Sequence, residues 1–328
     1  MPVTPLHSMP HPAVLFAGQG SEWQSFIAAA THTPATAQRL QEVLAQARLL
    51  IAPVARSVAS TCPGAVERVE QLIGGEAERE PGDVLPAVSI PGIVLGQIAA
   101  IEQLRDLGVS LDVTAGHSQG SLGEMAVDKP AEALALALLM GTAATAVNGT
   151  DPRSQMLSVR GIERDFLVER LHGTAAIAVV NGRRHLVLSG SPEDLAATRA
   201  AIEGAAAQHN AALEERTIGG DELEARFDEL PVALPFHNPG LAMATERTVA
   251  LAQKCGLDEH AARQHAEAIL VAEHNWPQTL DALDATHLIV LDRALTSITR
   301  RAVEGTGVVV VEAASPQAID SLLSLIHI

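Results

Sequence analysis

The sequence predicts an α/β fold: a large α/β domain on a parallel sheet, interrupted by a small ferredoxin-like α+β subdomain. Three observations carry this. Short apolar runs end in glycine turns that lead into helical stretches, at Ala13–Ala17 and again at Leu111–Ala115. From Met156 the pattern changes to β-α-β-β-α, with a further strand expected near 213–217 or 231–236. After Pro239 the chain returns to helices with short strands at His287–Leu291 and Val308–Glu312. The expected division is residues 1–153 with 233–328 as the large domain, and 154–232 as the insertion.

Each element has a local cause. Residues 36–73 carry helical periodicity, broken at Thr61-Cys62-Pro63-Gly64. Residues 74–83 form a polar loop. Pro91–Leu107 reads as a helix with proline in its first turn and Gly108 beyond its end. Ser121–Val127 opens a helix, and Pro130–Val147 is a nearly all-apolar one, hence buried. Its apolar stretch, Ala131–Val147, is short for a membrane span, and no membrane association is expected. In the insertion, Met156–Val159, Ala175–Val180 and His185–Ser189 are strand-like, and Asn181-Gly182 signals a hairpin turn. Glu163–Leu171 is helical, and Pro192–Ala207 is a helix capped by Ser191. The acidic residues 218–230 read as a loop with a helical turn.

Composition narrows the function. Of 328 residues, 47% are hydrophobic, but only two are Trp, five Phe and none Tyr, so the core must be aliphatic. The formal charge of −17 argues against a nucleic-acid partner, because phosphate binding needs basic surfaces. Arg183–Arg184 and Arg300–Arg301 are the candidate basic patches for an acidic partner. Two isolated cysteines, Cys62 and Cys255, point to no disulfide framework and no metal site. No signal-peptide pattern opens the chain, and a cytoplasmic protein is expected. Ser324–Ile328 fit no element, which suggests a piece of a longer multienzyme or a foreign tail.

The chemistry centres on Gly116-His117-Ser118-Gln119-Gly120. This GxSxG sequence lies between an expected strand and an expected helix, the context of a nucleophile elbow, which makes the large domain α/β-hydrolase-like. The turn projects the Ser118 hydroxyl, and the following helix aims N–H groups at the same point. A serine needs a base. Among thirteen histidines, His237 stands out within Leu234-Pro235-Phe236-His237-Asn238-Pro239, where prolines fix the backbone. His7, His11, His32, His260 and His265 look like surface residues, and His117 supports the turn. Gly18-Gln19-Gly20-Ser21 lacks the third glycine of a dinucleotide fingerprint. It is better read as offering a backbone N–H to an oxyanion, paired with that of Gln119.

Taken in order, GQGSEW, GHSQG and PFHNP resemble the malonyl-CoA–ACP transacylase and acyltransferase-domain family. AVSIPGIVLGQIAAIEQL, NGRRHLVLSGSPEDL and GLDEHAARQHAEAIL look most like the N-terminal acetyltransferase domain of bacterial type I fatty acid synthases. The resemblance implies that Ser118 is the nucleophile, His237 the catalytic histidine, and the amides of Gln19 and Gln119 the oxyanion hole. It puts Asn181 near the site, with His117, Met140 and Ile90 around the substrate. It implies acyl-CoA as substrate with no bound cofactor, and an acyl-carrier-protein phosphopantetheine thiol as acceptor. Other fatty acid synthase domains would be partners.

Three departures bear on specificity. Malonyl-selective members carry Arg-Gly where this chain has Met140-Gly141. A family Gln-Pro pair is Ile90-Pro91 here. Both favour an apolar acyl group such as acetyl, since a buried carboxylate without a partner is costly. The family's Gly-Pro-Gly loop, which holds the histidine, is replaced by Leu291-Asp292-Arg293-Ala294-Leu295. The alternatives are a malonyl-CoA–ACP transacylase, a GxSxG hydrolase or thioesterase, and a non-catalytic carrier-docking domain. A hydrolase should show an acid between Ser118 and His237, and Asp221 and Asp228 lie there in a polar loop with no strand end to place them.

Overall fold

The computed structural model describes residues 12–18, 23–73, 80–149, 151–215 and 219–326. Two sheets organise it. The first holds β1 (Pro12–Phe16), β2 (Thr114–Gly116), β8 (His287–Val290) and β9 (Val309–Glu312), in the order β2-β1-β8-β9. Every pairing in it is parallel. Ala13 to Phe16 are fully buried, as an unbroken apolar strand covered on both faces must be.

The helices Pro86–Asp106 and Pro130–Asn148 pack against each other beside this sheet. The first begins five residues before the expected start. Pro86 takes the first-turn position, and Pro91 lies inside the helix. By length and composition three segments could span a membrane: 34–61, Pro86–Asp106 and Pro130–Asn148. In the last two, 89% and 72% of the apolar window is buried inside the protein, so their apolarity serves the core. The segment 34–61 is only 28% buried, and it is three consecutive pieces, Pro34–Ile51, Ala52–Val54 and Ala55–Thr61.

The second sheet contains β3 (Met156–Arg160), β4 (Ala176–Gly182), β5 (His185–Ser189), β6 (Arg226–Glu229) and β7 (His274–Asn275), ordered β6-β3-β5-β4-β7. With the helices Arg164–Val168 and Pro192–Glu214, the first four strands give the β-α-β-β-α-β order of a ferredoxin-like unit. The Ser191 hydroxyl caps the longer helix by accepting from the Asp194 N–H. β7 lies outside 154–232 in sequence, yet it pairs parallel to β4.

Two expectations are corrected here. Asn181-Gly182 is not the hairpin turn: β4 runs through Gly182, and Arg183–Arg184 make the turn. The ladder to β5 shifts register between Val180 and Gly182, so Asn181 sits at a bulge. Bulges re-aim side chains, and they recur beside active sites. The last strand of the unit is Arg226–Glu229, not 213–217 or 231–236. It is a mostly exposed edge strand, so it carries no apolar run to mark it.

Candidate active site

β1 and β2 end side by side. After β2 the chain turns through Ser118–Gly120 and enters the helix Ser121–Asp128. Ser118 has φ = +57°, the left-handed region that non-glycine residues rarely occupy. The turn closes on itself so tightly that a Cβ on Gly116 would lie 2.1 Å from the Gly120 carbonyl carbon. A Cβ on Gly120 would lie 2.2 Å from the Phe16 oxygen. The two glycines of GxSxG are thus required by contact, one against the turn itself and one against β1.

His237 is reached from a different direction. Its N–H donates to the Ile269 carbonyl, and the Asn238 N–H donates to that of Leu270. It too has φ = +57°, and it is buried. Ser118 Oγ lies 2.6 Å from His237 Nε2. The other ring nitrogen, Nδ1, lies 2.6 Å from the Ala272 carbonyl oxygen. A carbonyl only accepts, so Nδ1 carries the proton and Nε2 presents its lone pair to the serine. Ala272 follows a π-helical turn, Glu267–Val271, a backbone irregularity frequent at functional sites. Burial drives the His237 pKa down to about 4, with nearby His117 adding to the fall and the Ala272 hydrogen bond opposing it. The imidazole is therefore held neutral at physiological pH.

This geometry answers the search for an acid. The imidazole is oriented by a backbone carbonyl. Asp228 instead pairs with Arg160, and the Asp221 carbonyl accepts from His209. At 291–295, where the resemblance implies a Gly-Pro-Gly loop, Asp292 instead caps the helix Arg293–Ala302.

His117 Nε2 donates to Asn181 Oδ1 at 2.9 Å, which ties the elbow to the bulge of β4. Burial lowers the His117 pKa, with the Asn181 hydrogen bond opposing. Gln119 is buried, and its side-chain amide donates to the Ile90 carbonyl at 2.8 Å. Gly18, at the end of β1, packs on the elbow: a Cβ there would meet the Gln119 nitrogen at 3.0 Å and the His117 oxygen at 2.8 Å. Gln19, the other expected oxyanion donor, lies outside the described residues. On the helix after the elbow, burial raises the Glu124 carboxyl to about 7, against a hydrogen bond from the Gly116 backbone.

A cavity of about 510 Å³ opens on Ser118 and runs between the two sheets. His117 and Asn181 line it, with Met156, Val179, Val187 and Phe236. Met140 and Ile90 do not line it among the described residues; both are completely buried in the helical core. Ile90 reaches the site only through its carbonyl on Gln119.

Sequence reasoning missed His274. Its ring stands edge-on to His117 at 4.8 Å and lies 5.9 Å from that of His237. Its buried Nε2 has no hydrogen-bond partner among the described residues, and burial pushes its pKa far down. The signal was its place in His274-Asn275-Trp276-Pro277, where Asn275 caps a helix and Trp276, fully buried, packs edge-on against His117. His265 is also misjudged: it is half-buried, near Ser121 Oγ at 3.4 Å.

A strained serine at a strand–helix elbow meets a buried neutral imidazole beneath an inserted α+β unit, which is the geometry of an activated serine nucleophile. Residues 146–229 match the family model of the fatty acid synthase central AT domain. A malonyl-transacylase solved in complex with its type II polyketide synthase acyl-carrier protein superposes with a TM-score of 0.71 at 16% identity. That match covers 96% of this chain and 99% of the other. The malonyl CoA-acyl carrier protein transacylase of Coxiella burnetii gives 0.70 at 16% identity, over 97% and 98%. In sequence, the chain is 29% identical to naringenin synthase of Pestalotiopsis fici over 198 residues, 57% of this chain and 6% of that protein. The match to a highly reducing polyketide synthase of Aspergillus terreus is 32% over 125 residues, 35% of this chain and 5% of that one. The chain thus spans a small fraction of the curated relatives it matches. The family model matches residues 146–229 of this chain, and the solved structures share its fold.

Proposed function

We propose that this chain transfers an acyl group from coenzyme A to an acyl-carrier-protein thiol through an ester on Ser118, as one domain of a fatty acid synthase. The observation that carries the reading is the 2.6 Å contact between Ser118 Oγ and the unprotonated Nε2 of His237. Nε2 accepts the hydroxyl proton as Oγ attacks the thioester carbonyl. The imidazolium then gives that proton to the departing thiolate of coenzyme A, leaving an acyl ester on Ser118. In the second half the carrier thiol gives its proton to Nε2 and attacks the ester, and the proton returns to Ser118 as its oxygen departs. The amides of Gln119 and Gln19 are assigned to the tetrahedral oxyanion.

The acyl group assigned is acetyl. No arginine follows the elbow at the position where malonyl-selective members carry one, and Met140 there is enclosed by core residues. The test is intact mass after incubation with acetyl-CoA and malonyl-CoA separately, followed by addition of holo carrier protein. Acetyl addition that Ser118→Ala abolishes, and that the carrier removes as its own thioester, is the expected result. Release of the acyl group to water with none on the carrier would make the protein a hydrolase. Absence of any acyl addition would leave it a docking domain.

A further inference from the structure

Arg160 and Arg301 line the cavity above Ser118, with Asp228, Asp292 and the neutral ring of His185. Asp292 is engaged in capping the helix Arg293–Ala302. Arg160 is neutralised by Asp228. Arg301 is exposed and has no ion pair or hydrogen bond among the described residues. In a chain with 39 acidic residues against 22 basic ones, counter-ions are plentiful, so an arginine left open on the active cavity calls for a cause. Its place in the last turn of the helix Arg293–Ala302 suits a cation but uses none of its N–H donors. Arg301 and Arg160 both act on the His185 ring, whose pKa falls to about 4 through burial first and their charges second. The three groups therefore share one space.

We infer that Arg301, with Arg160 and His185 beside it, binds the phosphate at the far end of a pantetheine thioester whose carbonyl lies at Ser118. The inference rests on the acyl-transfer reading above. The unpaired charge of Arg301 sits on an exposed residue, whereas the nucleophile sits beside buried His237 and Phe236. An anion held there belongs to the part of the ligand that stays toward solvent. Ser158, Asn181 and Ser297 also line the cavity, among apolar residues such as Met156, Val179, Val187 and Ile298. That mixture suits an arm of methylenes and amides, and the cavity volume is in the range of small-ligand sites. A guanidinium matches phosphate oxygens two at a time. The same site would serve the coenzyme A donor and the carrier acceptor, because both present this arm and its phosphate.

A carboxylate on the acyl group is the other source of the same anionic chemistry, and the experiment separates them. Binding of 4′-phosphopantetheine and of pantetheine is measured by calorimetry for the wild type and Arg301→Gln. The expected result is that the wild type prefers the phosphorylated arm about tenfold or more, and that the variant loses the preference while holding pantetheine unchanged. Equal binding of both arms by the wild type overturns the inference. So does an equal loss of both in the variant, which would mean a structural role. A third overturning result is a variant that keeps the phosphate preference but takes malonyl-pantetheine less well than acetyl-pantetheine. If phosphate discrimination holds while Ser118 is never acylated, the acyl-transfer reading fails and the phosphate site stands.

Discussion

Ser118 and His237 share one backbone conformation. Each has φ = +57°, and among the described residues they are the non-glycine residues with positive φ. The residues that meet at 2.6 Å are thus the ones whose backbones are strained. A left-handed non-glycine residue costs roughly 1–2 kcal/mol. The folds of the elbow and of the Ala272 segment bear that cost at both partners.

Ser118→Gly relieves one of these strains. Its melting temperature should rise by a few degrees above wild type, while acylation falls to background. Ser118→Ala should lose acylation with no rise in melting temperature. A differential scanning measurement on the pair checks this; equal melting temperatures would mean the elbow holds no strain.

Gly116→Ala should fail to fold, or should melt far lower. Its Cβ would enter the backbone at Gly120 and Ser121, where nothing flexible can move aside. Circular dichroism melts of Gly116→Ala against Gly182→Ala make the comparison. A Cβ at Gly182 meets nothing within 4 Å, so that variant should change little.

Acidification should act on stability and rate at different pH. His237 and His185 are held near 4, and His274 lower again, mainly by burial. Once unfolded they titrate near 6.5. Below that value the unfolded chain binds protons that the folded chain refuses. Stability is complete above about 6.5 and falls as pH drops toward 4. Acylation needs neutral His237, so its rate should hold to about pH 5 and fall through about 4. Single-turnover acylation against pH checks it, and a midpoint near 6.5 would mean an exposed base.

Acetyl-CoA should load Ser118 about 100-fold better than malonyl-CoA, if leaving a carboxylate uncompensated costs even ~3 kcal/mol. Met140→Arg should not close that gap. The side chain lies in the core and off the cavity, so an arginine there should lower the melting temperature by several degrees. A folded Met140→Arg protein that gains malonyl loading would show that the helix does present this position to substrate.

The elbow and the histidine were legible because their chemistry is local. Ser118 lies inside a contiguous motif, and His237 between two prolines that restrict its backbone. The inserted unit was legible from strand and helix order alone. What escaped has a physical reason in each case. β6 is an exposed edge, so no apolar alternation betrays it. Asn181-Gly182 has turn composition, but the pair lies at a bulge, where the same backbone freedom is used within a strand. His274 is one histidine in a polar stretch, and its importance comes from three chain segments converging on it. A missing cation at position 140 could be read from the sequence, but not that the Met140 side chain is buried in the core away from the cavity.

β7 has a mechanical consequence. The two residues His274 and Asn275 carry a segment next to the base into the edge of the other sheet, against Val179 and Val180 of β4. The His117–Asn181 hydrogen bond stitches the same junction from the serine side. Asn238 adds a third tie through its side-chain amide to the Thr174 and Ser189 carbonyls. Opening the cleft like a jaw would therefore tear backbone pairing and three side-chain bonds made by the chain neighbours of Ser118 and His237. The cleft is thus riveted at its base from three separate chain segments, which makes the junction of the two sheets a frame rather than a hinge.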